Sequence, residues 1–202
     1  MVNRKKDTRK VVPGKMLALC IAGVVAVLLF WSYSGAVAEG MDWHRKSEMK
    51  VIAPDFVAAD MADARRVPDF TALDRFGNKV KLSQFSSVDL LIVNIWSEGC
   101  PVCREEVPEL TEMDRRIGDL GSAALITIAV AEKWEDVANY FPKGTDLRVL
   151  FDPDNKIGKG IFGTVKYPET FILDKQRRIR ARFDGKRPWY SETMFDYLET
   201  FM

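Results

Sequence analysis

Two cysteines, Cys100 and Cys103, stand three positions apart in the stretch SEGCPVCREEVPEL, residues 97–110. A C-x-x-C pair can be half a metal site, a haem attachment point or a working dithiol. Haem attachment needs a histidine after the second cysteine, and Arg104 occupies that position. A zinc centre needs four ligands, whereas this segment offers two thiols and the chain's single histidine is the distant His44. The P-x-x-x-T-x-x-C loop of a one-cysteine peroxidase is absent. A structural disulfide here closes too small a loop to staple a fold. The pair therefore reads as a redox dithiol, with copper(I) held between two soft thiolates as the non-enzymatic alternative.

The surroundings of the pair give each cysteine a role. The continuous apolar run LLIVNIW (90–96) predicts a strand buried on both faces, and the C-P-V-C segment follows after a short loop to open a helix. A cysteine at a helix N-terminus faces unpaired N–H groups and the positive end of the helix dipole, which favour thiolate. Cys100 is thus the expected nucleophile. Cys103, one turn on, is placed to attack a mixed disulfide formed on Cys100. Pro101 suits the first helical turn, where its missing N–H costs nothing. Glu106 lies three residues beyond Cys103, on the side of Val107 and Leu110, so it can face inward and accept the Cys103 proton.

The elements that must hold this site follow an α/β pattern. DFTAL (69–73) and KVKL (79–82) read as a hairpin with Gly77 in its turn. After the cysteines, Val107, Leu110, Met113 and Ile117 recur at helical spacing, and Pro108 is expected to kink that helix. AALITIAV (123–130) is a second buried strand, and KWEDVANYF (133–141) a helix ended by Pro142. LRVLF (147–151) is a strand and DNKIGKGIF (154–162) a short helix. TFILD (170–174) pairs with IRARF (179–183), and SETMFDYLETF (191–201) closes the chain as a helix. Alternating strands and helices with a terminal hairpin describe a three-layer α/β domain.

The N-terminal part is of another kind. Residues 1–15 carry six basic side chains against Asp7, and residues 16–38 carry no charge at all. A helix of that length spans roughly 35 Å, enough for a bilayer core. The basic flank fixes the N-terminus in the cytoplasm, and Trp31 and Tyr33 suit the far interface. A retained membrane anchor is expected, with a signal peptide cleaved after Ala36-Val37-Ala38 as the alternative. Either way the body is exported. Cys20 falls within the apolar stretch, and Leu19 before it rules out a lipid-attachment pattern. Residues 39–66 read as a polar tether, in which APDFVAAD (53–60) echoes VPDFTALD (67–74). Net charge is +1 and no basic patch marks the body, so nucleic acid is not an expected partner.

These motifs, taken together over residues 67–202, resemble the thioredoxin superfamily. Within it they are most similar to the membrane-anchored thiol–disulfide oxidoreductases of the TlpA/ResA/CcmG type. The likeness rests on VPDFTALDRFGNKVKLSQF, VNIWSEGCPVCREEVP, KYPETFILD and RIRARFDGKRPW. It implies a thioredoxin-like three-layer α/β/α sandwich with an N-terminal hairpin extension, preceded by one transmembrane helix. It also implies that Cys100 and Cys103 form the redox pair, that Glu106 is an active-site acid, and that Pro168 is the cis-proline beside the disulfide. The backbone of Tyr167 would then pair with substrate, and Trp96 would pack under the site. Asn94 stands where cytosolic thioredoxins have a buried aspartate. Two departures are the glycine at Gly99, where the family usually has tryptophan, and YPET, whose Tyr167 and Glu169 are expected to add bulk and charge to the substrate groove.

The function implied is reduction of disulfides in an exported protein, such as apocytochrome c or a copper-site protein. A membrane thiol donor would return the electrons. An oxidase or isomerase of the same fold is the alternative. No metal and no cofactor beyond the Cys100–Cys103 couple is expected.

Overall fold

Residues Gly14–Ile52 form one long helix, α1, in a computed structural model that describes residues 14–58, 64–141 and 145–202. Its segment Ala22–Asp42 has a mean hydropathy of 1.5 over 21 residues, none of it covered by protein. Leu28, Leu29, Phe30, Trp31 and Tyr33 all stand exposed. At 1.5 Å per residue this segment matches the roughly 30 Å of a bilayer core. The side chains of Cys20 and His44, and all of Pro142, lie outside the described residues.

Residues 48–202 form a compact unit of their own. It takes in much of the segment read as a tether: the helix continues to a fully buried Ile52, and a short strand β1 (Phe56–Val57) follows. The sequence hid this strand because only two residues pair and both side chains are exposed. What holds them is backbone bonding to the edge of a sheet.

That sheet has eight strands. The others are β2 (Thr71–Asp74), β3 (Lys79–Lys81), β4 (Leu90–Ser97), β5 (Ala123–Val130), β6 (Val149–Phe151), β7 (Glu169–Asp174) and β8 (Ile179–Asp184). Their order is β1-β8-β7-β4-β5-β6-β2-β3. The central pair β4 and β5 is parallel and β7 lies antiparallel to β4, so the sheet is mixed. The β2–β3 hairpin turns through Gly77, whose φ of +79° favours glycine.

Side chains of β4 alternate between two cores. Leu90, Ile92 and Trp96 pack with helix α2 (Pro101–Leu120) and with Met194, Phe195 and Leu198 of helix α4 (Glu192–Glu199). Leu91, Val93 and Ile95 pack on the other face with Phe70, Leu82, Ile157 and Phe162. On α2 the buried stripe is Cys103, Glu106, Val107, Leu110, Met113 and Ile117. Complete burial of Met113 and Ile117 stabilises by roughly 1.5–3 kcal/mol each. Pro108 lies within α2, which runs unbroken to Leu120 and ends at Gly121 with φ +67°.

Residues predicted as a short helix near 154–162 form a π-helix, Lys156–Phe162. Buried Asp152 starts it, its carboxylate accepting the N–H groups of Lys156, Ile157 and Gly158 at 2.8–3.0 Å. Gly158 packs so closely on Ile95 and Val130 that a Cβ would stand 3.3 Å from each. Among the described residues, the second outer layer holds this turn and a 3-10 turn at Leu82–Phe85.

Candidate active site

The strand–loop–helix unit β4–α2 sets the two cysteines at the end of the sheet. Cys100 is the N-cap of α2 and Pro101 its first residue, so the missing proline N–H leaves no helical bond unmade. The two sulfurs are joined as a disulfide, with Cα atoms 5.3 Å apart. Cys103 N–H also donates to the Cys100 Sγ at 3.1 Å. Cys100 is half-buried, whereas Cys103 is 3% exposed. An incoming disulfide can meet only the first of the pair. Beside it lies a hollow of about 650 Å³ lined by Glu98, Gly99, Cys100, Pro101, Arg104 and Glu105. A Cβ at Gly99 would meet nothing within 4 Å, so the glycine leaves open space beside Cys100.

Glu106 is completely buried, on the α2 side of the sheet. Its carboxyl accepts from Asn94 Nδ2 at 3.2 Å, from the Arg187 backbone N–H at 3.2 Å and from Trp189 Nε1. Asn94 donates in turn to Thr170 Oγ1 at 2.9 Å. Burial, partly offset by these three donors, raises the Glu106 pKa to about 7. A carboxyl with that value, one helical turn from a buried cysteine, can take up or give back a proton near neutral pH.

The peptide between Tyr167 and Pro168 is cis, and the pairing of Ile95 with Glu169 sets it at the end of the sheet where β4 leads to the cysteines. The Tyr167 hydroxyl accepts from Asn155 Nδ2 at 3.0 Å, and its ring packs against both cores. Glu169 does not charge the groove. It is 4% exposed, on the sheet face opposite Glu106, where Arg182 Nε approaches Oε1 at 3.4 Å and Asp184 lies in register across β8. The reason is strand alternation: Thr170 faces Asn94, so Glu169 must point to the other side. Burial first, then the neighbouring Asp184, raises its pKa.

Trp96 is buried and stacks on Tyr140 with ring centroids 4.2 Å apart. Tyr140 belongs to helix α3 (Trp134–Tyr140), and sequence reasoning missed it. Its hydroxyl donates to the Cys100 carbonyl at 2.8 Å, and the Arg104 guanidinium sits over its ring at 4.8 Å. Burial pushes its pKa up to about 12, which keeps it a donor. Trp189 and Arg187 were also missed as partners of Glu106. Their signal was the turn GKRPW within a stretch already marked by the resemblance.

Comparison with known proteins agrees with this fold. The AhpC/TSA family matches residues 64–182. The thioredoxin-like protein YneN of Bacillus subtilis is 26% identical over 58% of this chain and 69% of its own length. The thiol:disulfide interchange protein DsbE of Allochromatium vinosum is 30% identical over 66% of this chain and 65% of its own. In a DsbE of Pseudomonas aeruginosa the match, 34% identical, spans half of that protein. Among solved structures, a DsbF homologue from Corynebacterium diphtheriae superposes with a TM-score of 0.59 at 23% identity, over 70% of this chain and 91% of that one. The thioredoxin domain of a thiol-disulfide oxidoreductase from Bacteroides vulgatus gives 0.58 at 20%, over 70% and 99%. These likenesses establish the fold as thioredoxin-like, and with the family match over residues 64–182 the chain belongs to the AhpC/TSA family.

Proposed function

We propose that this protein disulfide oxidoreductase is a membrane-tethered, extracytoplasmic reductase of disulfides in exported proteins, of the cytochrome c maturation type. One observation carries the reading most directly: the half-buried sulfur of Cys100 caps a helix, while buried Cys103 has a neutral-range acid, Glu106, one turn away. The relatives named as thiol:disulfide interchange proteins support the same chemistry. The apolar helix Ala22–Asp42 supports a single anchor with the catalytic unit on the far side of the membrane.

In the reduced protein the Cys100 thiolate is favoured by the α2 N-terminus and by the Cys103 N–H. It attacks one sulfur of the target disulfide, and the other target sulfur leaves as a thiolate. Glu106 takes the proton from the Cys103 thiol. The resulting thiolate attacks Cys100 Sγ, expels the second target sulfur and closes the Cys100–Cys103 disulfide. Two electrons have passed to the target, and a membrane dithiol restores them. The cis-Pro168 edge and the backbone of Tyr167 offer the strand against which a target segment would lie. Apocytochrome c and copper-site proteins are the expected targets.

The test is the reduction potential of the Cys100–Cys103 couple in residues 48–202, equilibrated against glutathione or dithiothreitol. A value near roughly −270 mV or below supports a reductant. A value near roughly −120 mV makes the protein an oxidase with the same site. Replacing Cys103→Ser should trap mixed disulfides on Cys100 in cells, and identification of the captured proteins names the targets.

A further inference from the structure

The loop Asp184–Trp189 touches three separate parts of the molecule. Gly185 N–H donates to the Pro168 carbonyl at 2.8 Å, tying the loop to the cis-proline edge. Arg187 N–H and Trp189 Nε1 both donate to Glu106 Oε1. The Arg187 guanidinium curls back on its own loop, Nη1 donating to the carbonyls of Asp184 at 2.8 Å and Lys186 at 3.1 Å. Its Nη2 reaches Asp55 Oδ2 at 2.7 Å, and the same oxygen accepts the Asp184 N–H at 2.7 Å.

Asp55 comes from the first of the two similar segments, APDFVAAD, immediately before β1. The second segment shows what such an aspartate does. Asp69 Oδ1 accepts the Ser83 N–H at 2.8 Å and faces Arg177 Nη1 at 3.3 Å. Each aspartate thus meets one remote backbone N–H and one guanidinium, but the partners of Asp69 come from two different turns, whereas both partners of Asp55 belong to the loop Asp184–Trp189. Neither Ser83 nor Arg177 touches Glu106; the loop held by Asp55 carries two of the three donors to it. Asp55 is fixed in place by its own N–H, which donates to the Arg182 carbonyl at 2.8 Å, and by the pairing of β1 with β8.

We propose that Asp55 is a positioning residue that, through Arg187, holds the loop Asp184–Trp189 against Glu106 and so sets the protonation of that acid during resolution of the mixed disulfide. The proposal rests on Glu106 acting as the proton acceptor for Cys103. It makes the strand that follows the membrane helix a working part of the active site.

The titratable and charged groups around Glu106 fix the sign of the effect. On α2 they are Cys103 and Glu109; from α3 comes Tyr140, and from the loop Lys186 and Arg187. Among the described residues, the sheet contributes neutral Asn94 and Thr170. Asp55→Asn keeps an acceptor oxygen for the Asp184 and Arg187 N–H groups, so the loop stays in place while the lost charge leaves Arg187 uncompensated and makes ionisation of Glu106 easier. Removing the Arg187 charge leaves Asp55 uncompensated and makes it harder.

The experiment uses the full-length reduced chain in detergent, with Cys20→Ser so that Cys100 and Cys103 are the thiols present, and 5,5′-dithiobis(2-nitrobenzoate). Attack by Cys100 releases one thionitrobenzoate, and attack by Cys103 on the mixed disulfide releases the second. The rate of the second release, followed across pH 5–9, should rise as Glu106 ionises. In Asp55→Asn the midpoint of that rise is expected to move down by roughly half to one pH unit, and Asp55→Glu should restore it. Arg187→Gln should move it up, and in a Glu106→Gln background neither change should matter. Equal slowing at every pH in Asp55→Asn, or shifts of the same sign in Asp55→Asn and Arg187→Gln, would mark both residues as scaffold and overturn the proposal. A rise that persists unchanged in Glu106→Gln would instead overturn the reading of Glu106, and the role of Asp55 with it.

Discussion

Glu106 and Glu169 are both buried carboxyls at the active-site end of the sheet, and burial raises the pKa of both. They differ in the company they keep. Glu106 accepts from an amide, an indole and a backbone N–H, all neutral donors. Glu169, on the opposite face, has the Arg182 guanidinium within 3.4 Å and shares its surroundings with Asp184. Burial alone does not make an acid–base group. In the proposed mechanism the working carboxyl is the one whose neutral donors leave its proton free to move, and whose helix also carries the buried cysteine.

The largest expected effect tests whether the contrast acts through the dithiol at all. Cys103→Ser should abolish turnover of a protein disulfide while leaving attack by Cys100 intact. In that background Glu106→Gln and Glu169→Gln should be indistinguishable by the first release of thionitrobenzoate. A difference there would mean that Glu106 acts on Cys100, and the contrast would have to be redrawn.

Next in size is the dependence of stability on pH. The folded pKa of Glu106, about 7, lies above its ordinary value of 4.5. Its favourable contribution is therefore complete below pH 4.5 and is lost as pH rises through about 7. The loss should amount to about 3 kcal/mol, read from urea unfolding of the oxidised protein at pH 4.5 and pH 8.5. In Glu106→Gln this part of the slope should vanish.

Glu106→Gln should also slow resolution by about 100-fold, with attack by Cys100 little changed. Glu169→Gln should leave both steps within about twofold and act on stability instead. It removes the acceptor charge beside Arg182, at a cost of about 1–3 kcal/mol. A Glu169→Gln variant that slowed resolution as much as Glu106→Gln would erase the distinction. The smallest effect is expected for Tyr140→Phe, which removes one hydrogen bond to the Cys100 carbonyl. About 1 kcal/mol of stability should be lost, and the pH profile of resolution should not move.

Much of this site was legible as one-dimensional pattern. The run LLIVNIW is apolar at every position but Asn94, so it had to be a central strand, and the proline between the cysteines marks a helix start. The phase of α2 follows from Val107, Leu110, Met113 and Ile117, and it turns Glu106 inward with them. Tyr140 left no such mark, because WEDVANY reads as an ordinary helix and only packing brings its hydroxyl to Cys100. Strand β1 was equally silent, with two exposed residues held by backbone bonds. The place of Glu169 was misread because the resemblance sets its neighbour Pro168 beside the dithiol, while strand alternation sends the next side chain through to the other face.

The sequence by itself determined the features that depend on neighbours along the chain: an apolar helix long enough to span a bilayer, a dithiol at a helix start, and an acid in phase with the buried stripe. Only the tertiary structure decided what surrounds that acid. Asn94, Arg187, Trp189 and Asp55 come from β4, a distant loop and the residue just before β1. The ionisation of a buried carboxyl is set by the donors and charges packed around it, and those are contributed by parts of the chain up to 83 residues away.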